Sequence, residues 1–425
     1  MENKKIFWLI LSIIIILRFA LIFLPGHRYD LSTHQKWSRD ILKYGVFSIY
    51  KMADPGSKPI YPNLPPIWIY ILGGFTYLYY LLFNSIISQP ALKIPAVFAD
   101  FLTAYLIFYF LKRKVSFKSA FLISIFYLLN PFVLYNSSVW GQWDSLYVLP
   151  LIASLIFLEK NKPLTSVFFL TLSFLTKLQG IIFLPLFLFF ILKKFGFKKL
   201  IFSLFVILIT IIFIILPLLL NHISPLLILK RTWLVSYHLV PFLSMNAFNF
   251  WWIIQILIGF KSNYLFFVND SLPFLNGINY KMIGLILFAL SYLLVLLWLN
   301  KRFKDFNDFI FSNALISFFF FFLPTEMHER YLFPFFALTS LILIFKKNLK
   351  KFYLFLSLTG FLNLVYVLPF TFLSRKIQLL IVSITFGLSL AICLYHLLIF
   401  LYLIFHLTFA NQREYEKSFN RFANL

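Results

Sequence analysis

The chain has 425 residues, of which 61% are hydrophobic and 12% charged, with a mean hydropathy of +0.89. Apolar runs of 18 or more residues recur from end to end, which excludes a soluble domain and indicates an all-α, polytopic membrane protein; a membrane barrel would alternate instead. The net charge of +24 sits mostly in short loops beside apolar runs, the positive-inside pattern, and no basic face or binding module argues for nucleic acid.

In chain order, Lys4 and Lys5 precede a first helix at about 6–24, read as entering from the cytoplasm. No small-residue cleavage site follows it, so it is expected to stay uncleaved. Arg18 lies near its outer end and should face protein or a polar cavity, unless it snorkels to the headgroups. A first outer loop then runs over 25–93. Within it, Ile67–Phe83 is apolar, but a crossing there would put every later basic cluster outside, so it is expected to be juxtamembrane or re-entrant.

Helices follow at about 93–111, 119–135, 144–158, 163–176, 180–192 and 200–220. A second outer region spans 221–280 and contains a half-length apolar segment at Trp251–Phe260. Further helices lie at about 281–299, 306–323, 331–345 and 352–370, and from 377 onward. The total is about twelve, within 10–13, and both termini are cytoplasmic. On this layout 22 of the 38 Lys and Arg fall in seven short cytoplasmic segments. No internal repeat of the kind common in transporters is visible. The single cysteine, Cys393, lies in an apolar run and supports neither a disulfide nor a thiol–metal site.

Fourteen carboxylates are present. Asp30, Asp40, Asp54, Asp100, Asp144, Asp270, Glu326 and Glu329 lie outside or within helices. Asp30 stands just after helix 1, where it could cap a helix over 31–44 or act as a base. Trp140-Gly-Gln142-Trp-Asp144-Ser opens the helix at 144, where an N-terminal Asp is favoured by free N–H groups and the dipole. Lys177, in Thr176-Lys-Leu-Gln-Gly180, lies between two short helices with no carboxylate beside it in sequence, which suits a phosphate or a snorkelling role. Glu326-Met-His328-Glu329-Arg330-Tyr-Leu-Phe-Pro334 puts His and Arg side by side, able to grip a phosphodiester or to form an ion-pair knot with Glu329. It lacks the second His of a zinc helix. Arg231 and the run Asn246–Trp251 complete the set; the tryptophans there fit either sugar faces or an interfacial belt.

In this order, these motifs resemble GT-C-type membrane glycosyltransferases. The nearest likeness is to bacterial and archaeal mannosyltransferases related to the second mannosyltransferase of GPI-anchor synthesis. The dolichyl-phosphate-glucose glucosyltransferases are more distantly similar. The likeness spans Arg28 to Pro334 and departs at Asn63-Leu64-Pro65-Pro66, where the family commonly has Asp-Tyr-Pro-Pro. It implies that Asp30 is the catalytic base and that His328, Arg330, Lys177 and Arg231 meet the donor phosphate. It further implies that Asp144, Gln142, Trp37, Glu329 and Asn63 contact acceptor or sugar.

The implied reaction moves a hexose, mannose by the resemblance, from a polyprenyl-phosphate donor to a lipid-linked or surface glycan, with inversion. It would take place on the outer face of the plasma membrane. No cofactor or metal site is called for, and a divalent metal is admitted but not demanded. A flippase of lipid-linked sugars or another lipid-linked glycan ligase remains as an alternative. A flippase would need functional charges near the midplane.

Overall fold

The computed structural model describes residues 2–50, 63–235, 241–262, 268–275, 277–346 and 348–409. Asp54 and the basic tail with Arg413, Lys417 and Arg421 lie outside the described residues. The chain divides into two compact units, Met1–Leu129 with Val133–Leu239, and Asn130–Phe132 with Val240–Leu425. Among the described residues the architecture is helical apart from four strands of two or three residues. Among the described residues, five helices are long and apolar enough to cross a membrane, or six if one bent pair counts as a span. The protein is therefore a multi-pass, membrane-embedded helical protein.

The first unit comprises α1 (Glu2–Leu21), α2 (Arg28–Tyr44), α3 (Pro66–Phe83), α4 (Gln89–Leu111) and α5 (Phe117–Leu128). These are followed by α6 (Pro131–Leu134, in this unit from Val133 and running on as a π turn over Tyr135–Trp140), α7 (Asp144–Glu159), α8 (Pro163–Thr176), α9 (Leu184–Leu220) and α10 (Pro225–Leu229). The starts are chemically marked. Ser88 caps α4, Ser116 caps α5 and Ser224 caps α10, each through a side-chain oxygen that accepts a backbone N–H. Proline at the first turn opens α3 and α8.

Two elements of this unit differ from the sequence expectation. α3 is an unbroken helix of 18 residues, closed by Asn84 in the left-handed region. A re-entrant segment needs a broken backbone, and α3 has none; its length and composition are those of a span. The helix expected over 119–135 is bent by 51° between α5 and α6, where Pro131 denies the chain an amide. α9 looks continuous from end to end, yet Gly196 has φ 81° and ψ 173°. That break lies between the pairs Lys193-Lys194 and Lys198-Lys199, so two helices meet at a basic corner as expected.

The surface of α9 shows what solvent this fold meets. Only 17% of its apolar window is buried, and Phe213 and Leu220 are 71% and 72% exposed. In water such a helix would be a liability; in hydrocarbon it is the ordinary outer face.

The charged groups buried deepest in α1 and α4 are paired. Arg18 is wholly buried; its Nη1 meets Asp100 Oδ2 at 2.6 Å, while Nε and Nη2 donate to the Leu128 carbonyl at 3.1 and 2.9 Å. Tyr127 donates to the other Asp100 oxygen at 3.3 Å. Arg18 thus faces protein, and the pair ties α1 to α4 and to the end of α5.

The second unit holds α11 (Phe250–Ser262), α12 (Tyr280–Arg302), α13 (Phe306–Phe322), α14 (Phe333–Ser340), α15 (Leu349–Val367) and α16 (Arg375–Phe409). α13 starts with a reciprocal capping box between Asp305 and Asp308. α14 has only 8 helical residues where a full-length helix over 331–345 is expected. Four strands, β1 (Ser244–Met245), β2 (Pro273–Leu275), β3 (Ile278–Asn279) and β4 (Met327–His328), pin the connecting segments. β1 pairs with β4 in parallel, and β2 with β3 antiparallel.

Replacing Arg18 by Leu strands the Asp100 carboxylate in an apolar bundle, at a cost of about 3–5 kcal/mol. Thermal unfolding in detergent is expected to show a large loss for Arg18→Leu. Most of it should return in the double variant Arg18→Leu/Asp100→Leu; equal loss in the double variant would contradict the pairing argument.

Candidate functional site

The first cluster forms where the α1–α2 connection meets the turn between α6 and α7. Two glycines allow the contact. A β-carbon on Gly26 would stand 2.7 Å from the Trp140 carbonyl and 2.8 Å from that of Val139, distances that atoms do not adopt. Gly141, at φ 87°, sits against Leu31 and the Lys93 stem and is held in the region glycine favours. With both side chains absent, the backbones dock and His27 N–H donates to the Trp140 carbonyl at 3.0 Å.

That docking brings three groups onto one carboxylate oxygen. Asp30 Oδ2 accepts from Trp140 Nε1 at 3.1 Å and from Gln142 Nε2. His27 Nδ1 lies 3.1 Å away, and its ring stacks on Trp140 with centroids 4.8 Å apart. The same Nδ1 is 3.3 Å from the Asp30 amide. A neutral His27 accepts from that amide and caps α2; a protonated one donates to the carboxylate instead. Asp30 is therefore not the cap of α2. It lies in the first turn, half-buried, and His27 is the cap.

The π turn before Gly141 matters for direction. Successive side chains of Trp140–Ser145 leave it toward different partners. Trp140 and Gln142 go to Asp30, Trp143 Nε1 to the Leu92 carbonyl at 2.7 Å, and Ser145 to the Ala96 carbonyl at 2.8 Å. Asp144, fully buried, forms an ion pair with Lys177 and accepts from Asn136 Nδ2 at 3.2 Å. Lys177 and Asp144 were expected as separate contacts to phosphate and acceptor, but they are one buried pair. The carboxylate missing beside Lys177 in sequence comes from 33 residues away.

Trp37 does not fit the role of a sugar platform. It is 4% exposed and sits in the core with Leu31, Ile41 and Trp68, because the helical spacing of 31, 34, 37 and 41 turns it inward. Asn63 is half-buried just before α3; the next carbonyl, that of Leu64, accepts from the buried Tyr50 hydroxyl at 2.7 Å. Burial pushes the Tyr50 phenol well up, and the charge of half-buried Arg231 opposes that rise.

Lys93 is a residue that sequence reasoning used only as the end of a loop. It is 1% exposed, and its Nζ donates to the Leu24 carbonyl at 2.6 Å, bracing the chain that leads into Asp30. A lysine five residues into an apolar helix is costly in hydrocarbon, and that was the available signal.

The second cluster belongs to the other unit. β1 pairs Ser244 with Met327 and Met245 with His328, and Asn246 forms a further bridge to His328. Asn246 and Glu326 both have positive φ, 64° and 63°, so the loop is held in a conformation that costs energy. Asn363 on α15 holds it from behind, accepting from Phe248 N–H at 2.9 Å and donating to the Asn246 carbonyl at 2.7 Å.

On this frame Glu329, 2% exposed, pairs with Arg330 Nη1 at 2.9 Å, and the same Nη1 lies 3.4 Å from His328 Nδ1. Arginine can only donate, so Nδ1 accepts and the ring proton belongs on Nε2. Glu329 thus orients Arg330 from a buried position where no acceptor sugar could reach it. Trp251 and Trp252, also buried, are core residues rather than an interfacial belt; Asn249 caps their helix by accepting both their amides.

Just before His328 in the chain, Thr325 and Glu326 belong to a second acidic group. Lys281 Nζ meets Glu326 Oε1 at 2.7 Å, and Thr325 donates to Asp270 Oδ2 at 2.7 Å. Burial raises the Glu326 carboxyl from its usual 4.5 to about 7; Lys281 resists and Asp270 adds to the rise. Among the described residues, no three His, Cys, Asp or Glu side chains gather closely enough to hold a metal ion.

No protein-family model matches the chain, and no curated protein matches it either.

The raised carboxyl fixes a sign. The folded protein holds the Glu326 proton more tightly than the unfolded chain, so this residue's contribution to stability falls as pH rises from about 4.5 to about 7. The unfolding temperature of the parent is expected to drop relative to Glu326→Gln over that window. Parallel pH profiles for the two proteins would contradict the assignment.

Proposed function

We propose that the protein is a GT-C-type glycosyltransferase with about twelve membrane helices, working on the outer face of the plasma membrane with both termini in the cytoplasm. It moves a hexose, mannose by the sequence resemblance, from a polyprenyl-phosphate donor to a lipid-linked or surface glycan acceptor. The observation that carries this reading is the convergence on Asp30. Trp140 and Gln142, which belong to a motif 110 residues downstream, both donate to the carboxylate that the resemblance names as base. A half-buried aspartate aimed by two neutral donors suits a group that must meet one hydroxyl in one orientation.

In the proposed reaction Asp30 takes the proton of the acceptor hydroxyl. The hydroxyl oxygen forms a bond to the anomeric carbon from the face opposite the phosphate. The bond from that carbon to the phosphate oxygen breaks, and the phosphate leaves with the electron pair. Arg231, in the same unit as Asp30, is assigned to its charge, and the sequence resemblance gives His328 and Arg330 the donor-phosphate role. Lys177 is reassigned: Asp144 already balances its charge, so the pair positions the Trp140–Gln142 turn. Glu329 likewise acts through Arg330. Exposed apolar helices such as α9 supply the surface along which a polyprenyl tail can lie.

The test is a transfer assay with purified protein, labelled polyprenyl-phosphate-mannose and a mixture of acceptors. Asp30→Asn is expected to lower turnover by about 10²–10⁴-fold, and His328→Ala or Arg330→Ala by about 10²-fold. Full activity in Asp30→Asn removes the proposal. Labelled lipid crossing vesicles without transfer would favour a flippase.

A further inference from the structure

The first unit carries a cleft that the proposed reaction does not use. It lies between α1, α4 and α5, has a volume of about 840 Å³, and is lined almost wholly by Phe, Leu, Ile and Trp side chains. That volume falls within the roughly 300–1,000 Å³ of small-molecule sites. Its floor is closed by Ala104, Ile125 and Leu128, all buried, while Trp8, Phe98 and Tyr105 along its walls are 69%, 60% and 57% exposed. The walls offer almost nothing for a polar ligand to bond and much for a hydrocarbon chain to lie against.

One end of the cleft is different. There Phe7 packs on Phe117 and Phe121 with centroids 5.2 and 4.7 Å apart, and Phe108 meets Phe117 edge-on at 5.2 Å. In sequence, Lys5 lies two residues before Phe7, Lys112 and Arg113 about one turn after Phe108, and Lys118 next to Phe117; all four are exposed. Lys112 Nζ lies 5.5 Å from the Phe108 ring centre. Among the described residues none of these four cations makes an ion pair, whereas the neighbouring Lys114 is paired with Glu159. An apolar channel thus ends in uncompensated positive charge. Asp30 follows the opposite end of α1, roughly 25 Å away at 1.5 Å per residue.

We propose that this cleft is a binding site for a bilayer phospholipid with an anionic headgroup. One acyl chain runs along Trp8, Phe98 and Tyr105, and the headgroup phosphate rests among Lys112, Arg113 and Lys118. Charge selects the ligand: a zwitterionic headgroup would bring its own cation to a mouth that already holds four. The proposal does not depend on the glycosyltransferase reading, because the cleft is at the far end of α1 from Asp30.

Trp8 provides the readout. The full chain is placed in vesicles containing a small fraction of acyl-brominated phosphatidylglycerol or acyl-brominated phosphatidylcholine. Fluorescence quenching is then compared between the parent and Trp8→Phe, so that the difference isolates Trp8. The brominated phosphatidylglycerol is expected to half-quench Trp8 at about a tenfold lower mole fraction than the phosphatidylcholine. The triple variant Lys112→Gln/Arg113→Gln/Lys118→Gln should make the two lipids equal. Equal quenching in the parent overturns the headgroup selection, and that comparison stands even if the triple variant does not fold. Absence of any Trp8-dependent quenching overturns the acyl-chain placement. Recovery of fluorescence on adding polyprenyl phosphate would assign the cleft to that lipid instead, and so also overturns the proposal.

Discussion

The Arg18–Asp100 pair shows the constraint under which this chain is built. An ion in hydrocarbon is too costly to stand alone, so a charge that enters the helices must find a counter-charge or, as Lys93 does at the Leu24 carbonyl, a strong acceptor. Arg18 does so with one carboxylate and one carbonyl, and Asp100 adds a tyrosine. The same rule recurs as Asp144 with Lys177, Glu326 with Lys281 and Glu329 with Arg330. In a chain that is 12% charged, most of the carboxylates among the described residues pair with a lysine or an arginine. At Asp30 the same economy serves another end: Oδ2 gathers an indole N–H, an amide N–H and an imidazole nitrogen.

The two clusters use different means to hold short polar segments still. Around Asp30 the means is missing volume, since Gly26 and Gly141 let two backbones touch and everything else follows from that approach. Around His328 it is imposed geometry: a two-rung parallel ladder, two residues with positive φ and a buried asparagine clamp. Both devices place the side chains by backbone rather than by loop packing, which favours precision in a functional group.

Much of this was legible in the sequence because hydrophobic runs read directly as helices in a membrane protein. The positions of α1, α4, α7, α8, α12, α13 and α15 follow from the apolar pattern, and the inward turn of Arg18 from its cost in lipid. The inward turn of Trp37 was also readable, from its spacing with Leu31 and Ile41, but an aromatic in a polar segment invites a binding role. What could not be read is pairing across distance. Nothing near Lys177 announces Asp144, and nothing near Asp30 announces Trp140. The unbroken course of α3 was hidden by an argument from charge, which constrains sidedness over the whole chain but says little about one helix. The short α14 was masked because the apolar run continues past the point where helical hydrogen bonding stops.

The ladder between β1 and β4 has a consequence for how this region can vary. Strand side chains alternate faces, so sliding Met327–His328 by a single position against Ser244–Met245 would point the imidazole to the opposite side and carry Arg330 with it. Inserting or deleting one residue between Phe242 and Asn246, or between Thr325 and His328, is thus not a small perturbation. The spacing of those two segments behaves like a keyed joint, which accepts changes of side chain far more readily than changes of length.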